Sequence, residues 1–139
     1  MTSVYRNITI DCHDAAALGD FWAQVLGWHV FTDDDPEVLV APSFPYTAAV
    51  PRMLFIPVPE GKTAKNRLHL DLTPVGTTRD EEVARLQALG ATMVEDHRND
   101  DGSGWAYLAD PEGNEFCVER SDAERGPDPV LRYRITADE

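Results

Sequence analysis

Three residues in one short run could do chemistry together: Arg67, His69 and Asp71. They alternate with Leu68, Leu70 and Leu72, so in a strand the polar three share one face and the leucines the other. A guanidinium fork can grip a carboxylate or phosphate through two hydrogen bonds. A histidine beside an aspartate can serve as an oriented general base. The plainer reading is an internal network of ion pairs that satisfies polar groups leaving water. Asn7, Thr9 and Asp11 alternate with Ile8 and Ile10 in the same way, and Cys117 and Glu119 share a face near the other end of the chain. Cys117 as a nucleophile would need His69 within hydrogen-bond reach. Most buried cysteines are simply small hydrophobes.

These residues need elements to hold them. The stretch Val4 to Asp11 alternates as a strand. In DAAALGDFWAQVLGW, Leu18, Phe21, Trp22, Val25 and Leu26 fall at helical spacing, with Asp14 placed to cap the start and Gly27 the end. Strands near 28–32, 37–41 and 52–56 follow, the first two separated by the turn-forming DDDP. A linker, PVPEGKTAKN, carries both lysines of the chain; Lys65 is expected at the rim of a pocket and Asn66 at the start of the next strand. A strand over 67–72 comes next, then a helix in TTRDEEVARLQALGA with Thr78 as its cap and Gly90 at its close. Strands near 92–95, 105–109 and 115–120 complete the series. The Asp-Gly of NDDGSG and the DPEGN segment supply the turns between them. Phe55, Trp105 and Tyr107, with Trp28, lie on strands and could wall a pocket for a flat organic ligand. Phe44 and Tyr46, in the proline-punctuated loop PSFPYTAAVP, could cover it.

Strand, helix and three strands thus occur twice. Leu26-Gly27 and Leu89-Gly90 are 63 positions apart, and Asn7 and His69 are 62 apart. Two such intervals nearly fill 139 residues, which points to an internal duplication. The expected fold is α+β, built from two tandem βαβββ modules, about 4–57 and 67–120. Residues 121–139 follow as a C-terminal arm, in which VLRYRI could add a strand.

The totals exclude several classes of function. Twelve basic residues against twenty-five acidic ones give a net charge of −13, which repels nucleic-acid phosphates and anionic membranes. No run approaches the ~20 apolar residues of a membrane span. The opening MTSVYRNITIDCHD lacks the pattern of a secretory signal. Two cysteines, Cys12 and Cys117, show no Cys-x-x-Cys spacing. A reduced, cytoplasmic setting is the expectation.

The FW-x-x-x-LGW helix, KNRLHLDL, ARLQALGA and the final DPEGNEFCV together resemble the vicinal-oxygen-chelate superfamily, and within it the glyoxalase-like subgroup, over roughly residues 4 to 120. The resemblance implies that the two modules form a cup-shaped, mostly antiparallel sheet with helices outside, and in metal-using members the cup holds one divalent ion through the first and last strands of each module. Enzymes of the family isomerise, cleave or oxidise a substrate on that ion, and other members only sequester drugs. Carried onto this chain, the ligand positions fall on Asn7, His69, Cys117 and a site near Phe55 or Ile56. One imidazole, one thiol and one amide suit Mg²⁺ or Mn²⁺ badly, and Zn²⁺ wants at least three good ligands. His69 and Cys117, with Glu119 after a register slip, are the candidates for any metal.

The sequence therefore favours a small-molecule-binding protein without the standard metal. Asn7, Thr9, Asp11, Phe55, Trp105, Tyr107 and Cys117 would contact the ligand. The competing reading is a lyase or isomerase, or a metal-dependent enzyme, acting through His69, Asp71 and Arg67. A small organic ligand is the expected partner, and a homodimer is possible because family members often pair modules between chains.

Overall fold

The computed structural model describes residues 1–45 and 50–126. Its element order is β1 (Asn7–Cys12), α1 (Ala15–Leu26), β2 (His29–Phe31), β3 (Val38–Ala41) and β4 (Arg52–Pro57), then β5 (Leu70–Leu72), α2 (Arg79–Leu89), β6 (Thr92–Asp96), β7 (Ala106–Ala109) and β8 (Glu115–Val118), with a short α3 (Asp122–Arg125). The architecture is α+β, and the duplication is plain in the strand orders. One four-stranded sheet runs β1-β4-β3-β2 and the other β5-β8-β7-β6. Each sheet is mixed, since β1 pairs with β4 and β5 with β8 in parallel while the other pairs are antiparallel.

Local chemistry explains the helices. The Asp14 carboxylate accepts the Ala17 N–H at 3.0 Å, and Gly27 closes α1 at φ 67, where a side chain would be strained. Thr78 and Glu81 form a reciprocal capping box at α2. Leu18, Phe21, Trp22 and Val25 bury one stripe of α1. Beneath it lie Met53 and Phe55, which pair in register with Ile8 and Ile10. Gly19 lets the helix approach this closely, because a Cβ there would stand 2.6 Å from Val38 Cγ1.

Side chains of the second module lock onto the first. Trp22 Nε1–H donates to Asp110 Oδ2 at 3.0 Å, and the Trp22 and Phe116 rings meet edge-on at 5.1 Å. Glu112 accepts the N–H groups of His13 and Asp14, at 2.6 and 3.0 Å. The DPEGN segment is thus a turn and also the clasp between modules. Arg85 adds a second clasp, donating to the carbonyls of Gln24 and Val25 at the end of α1, both at 3.1 Å.

Two expectations are corrected. The strand foreseen over 67–72 is only Leu70–Leu72. Leu68 consequently sits outside the ladder and is 90% exposed instead of facing the core. The described start of the C-terminal arm carries a short helix, α3. Ser121 caps α3, and Glu124 bonds both the Ser121 and the Arg79 N–H groups at 2.8 Å. Tyr46 and the VLRYRI segment lie outside the described residues. No helix among the described residues is long and apolar enough to cross a membrane.

Candidate functional site

β1 and β5 are both edge strands, and no ladder joins them among the described residues. The gap between β1 and the segment leading into β5 is a cleft of about 780 Å³. Ile8, Ile10, Trp22 and Phe116 give it an apolar base, and Asn7, Thr9, Asp11, Arg67 and His69 a polar rim. A second hollow, of about 440 Å³, lies on the face of the second sheet turned away from its helix. Its floor is a row in register across four strands: Asp71, Cys117, Tyr107 and Glu95. Trp105, His97, Glu119 and Lys65 surround that row. His69 lines both spaces and joins them.

Arg67, His69 and Asp71 do not converge as the alternation predicts. Arg67 lines only the cleft, and Asp71 only the hollow. The reason lies in the linker. Glu115 accepts Lys62 Nζ at 2.7 Å and the Asn66 N–H at 3.0 Å, and His69 Nε2 meets the Asn66 carbonyl at 2.7 Å. These contacts turn the chain where a continued strand would have held residues 67–69. A carbonyl can only accept, so His69 carries its proton on Nε2 and keeps Nδ1 as the basic nitrogen. Burial works to raise the Glu115 pKa, but the bonds from Lys62 and Asn66 outweigh it and hold the carboxyl below its ordinary value.

The remaining candidates separate clearly. Asn7, Thr9 and Asp11 line the cleft, with Asn7 Oδ1 already accepting Arg52 Nε–H at 3.1 Å. Phe55 is fully buried and cannot touch a ligand, because its register with Ile10 turns it under α1. Tyr107, Trp105, Cys117 and Glu119 are together in the hollow. Phe44 stacks on Phe31 at 5.6 Å. Sequence reasoning missed Glu95 and His97, which are joined at 2.7 Å, with His97 stacked on Trp105 at 4.7 Å. A bulge between Met93 and Glu95 brings Glu95 into register with Tyr107, and no alternation rule announces a bulge.

The family's metal positions can be tested by register. Asp71 pairs with Cys117 as Thr9 pairs with Leu54, so Leu54 is the counterpart of Cys117 in the first module, in place of Phe55 or Ile56. Leu54 offers no donor. The Asn7 amide oxygen is engaged by Arg52. Burial, then the charge of Asp71 and its hydrogen bond, push the Cys117 thiol up to about 11, away from the thiolate that a metal ligand requires. Among the described residues no three His, Cys, Asp or Glu side chains are grouped to hold an ion. The donor set does not fit the family's divalent metal.

The model of the glyoxalase-like domain matches residues 7–119. No curated protein sequence matches the chain. Among solved structures, it resembles a glyoxalase/bleomycin resistance protein/dioxygenase family enzyme from Burkholderia phytofirmans PsJN at 19% identity and a TM-score of 0.61, over 84% of this chain and 97% of that one. It resembles an antibiotic binding protein from Streptomyces sp. CB03234 at 21% identity and TM-score 0.57, over 85% and 95%. A mutant fosfomycin resistance protein from Listeria monocytogenes, complexed with Mn(II) and 1S,2S-dihydroxypropylphosphonic acid, matches at 15% identity and TM-score 0.62, over 90% and 94%. These likenesses carry the fold.

Proposed function

Since the chain belongs to the glyoxalase-like domain family, we propose that it binds a small organic molecule in the cleft between β1 and β5, and that it does so without a metal ion. The observation that carries this reading is the cleft itself: an apolar base, a polar rim and a volume of about 780 Å³, within the range usual for ligand sites. The misfit of the donor set supports the metal-independent part. Burying the flat body of a ligand on Ile8 and Ile10 supplies affinity, and Thr9, Asp11 and Arg67 fix its orientation. The similar fold of the antibiotic binding protein from Streptomyces supports such a role.

Titrating a panel of aromatic antibiotics into chelator-treated protein, with tryptophan fluorescence as the readout, tests the proposal. Thr9 is exposed at the cleft, so Thr9→Trp should block the space while leaving the melting temperature unchanged. Affinity should then fall about tenfold or more. Equal binding by the variant, or no binding anywhere in the panel, overturns the proposal.

A second reading is proton abstraction by His69, favoured by the free Nδ1 that its Asn66 bond leaves. Arg67 and Asp71 stand apart from one another, so that chemistry would rest on His69 alone. Loss of turnover in His69→Gln with ligand affinity retained would establish it.

A further inference from the structure

The hollow on the second sheet is lined by a residue whose polar group has no partner among the described residues. Tyr107 is only 8% exposed, and its hydroxyl is closed off from water with no hydrogen bond among the described residues. Nearly all such buried hydroxyls are paired in folded proteins, so an orphan on a residue that lines a hollow calls for a partner from outside the chain. The Lys65 ammonium lies over the Tyr107 ring at 5.4 Å, and the His69 ring stands 5.6 Å from it. The carboxylates of Asp71, Glu95 and Glu119 line the same hollow. Against them stand Lys65 in the lining and Arg125, which holds Glu119 at 2.7 Å. The Trp105–His97 stack supplies a flat apolar flank.

We propose that this hollow is the subsite for a protonated amine carried on a flat organic body. The ligand's ammonium displaces Lys65 Nζ and sits over the Tyr107 ring nearer its hydroxyl edge, as a cation does over an aromatic face. Its N–H donates to the Tyr107 hydroxyl oxygen. Asp71 and Glu95, which flank Tyr107 and Cys117 in the same row, balance its charge. The flat body lies along Trp105 and His97. Lys65 has an exposed, flexible arm and swings away to uncover the hydroxyl. The net charge of −13 draws cations toward the protein as a whole. This inference rests on the small-molecule reading above and names the chemical class of the ligand.

The test titrates benzylamine, benzyl alcohol and benzoate into the full chain at pH 7, following the Trp105 indole and Tyr107 amide signals by NMR. Benzylamine should bind about fivefold or more tighter than benzyl alcohol, and benzoate weakest, with the preference shrinking as salt is added. Tyr107→Phe should weaken benzylamine about fivefold and leave benzyltrimethylammonium, which has no N–H to donate, unchanged. Glu95→Gln should weaken both cations, and Lys65→Met should tighten both. Equal or stronger binding of benzyl alcohol or benzoate at these signals overturns the charge assignment, while the small-molecule reading survives. Shifts confined to cleft residues such as Thr9 overturn the hollow as a subsite. Failure of the aromatic panel at the cleft, by contrast, is failure of the underlying reading.

Discussion

Replacing Asp71 by asparagine probes the electrostatics of the hollow at its best-defined group, Cys117. Burial is the largest cause of the raised thiol pKa, followed by the charge of Asp71 and its hydrogen bond, while Lys65 opposes. The shift from 9.0 to about 11 cuts the thiolate fraction at neutral pH about a hundredfold, and only the thiolate reacts. Iodoacetamide should therefore alkylate Cys117 at pH 7 about two orders of magnitude more slowly than a free thiol. The rate should climb tenfold per pH unit without a plateau below about pH 10. The substituted amide would retain a hydrogen-bond acceptor but no charge. Because burial remains, the pKa should drop by less than one unit, and the rate at pH 8 should rise about two- to tenfold. Peptide mass spectrometry separates Cys117 from Cys12, whose thiol is also pushed to about 11, by burial and then by Glu112. A plateau below pH 8.5, or an Asp71→Asn rate equal to wild type, would refute the reasoning and reopen Cys117 as a thiolate ligand or nucleophile.

Further consequences concern the scaffold. Trp22→Phe removes the N–H that reaches the buried Asp110 carboxylate. It should cost about 1.5–3 kcal/mol in urea unfolding, and a loss near zero would dismiss the clasp. Gly19→Ala gains about 1 kcal/mol in helix propensity, but its Cβ would meet Val38 Cγ1 at 2.6 Å. Overpacking costs about 1–3 kcal/mol, so the variant should lose stability and Val38→Ala should restore part of it. The Glu115 carboxyl is held below its ordinary value, so its contribution is present above about pH 4.5 and is lost as pH falls through the folded value. The melting-temperature gap between wild type and Lys62→Met should accordingly close in acid; a gap that widens there would contradict the pairing.

Much of the scaffold was legible because its signals are local. Asp14, Gly27, Thr78 and Gly90 all lie at the helix ends where capping rules put them. The repeat spacing anticipated the doubled order of strand, helix and three strands, though not its division into two sheets. The site was less legible because tertiary contacts override alternation there. KNRLHLDL reads as one strand, yet Glu115 and the Asn66–His69 bond turn its first half out of the sheet. Phe55 looks as fit for a pocket wall as Tyr107 does. Only register shows that one lies beneath α1 and the other on the open face. Glu95 owes its place to a bulge that depends on the partner strand.

Ligand titration of chelator-treated protein, repeated after adding Mn²⁺ or Zn²⁺, tests the central claim most directly. The account predicts the same affinity in all three samples, within about twofold, with NMR shifts centred on Thr9, His69 and Tyr107. A tightly held stoichiometric ion whose removal abolishes binding would contradict it.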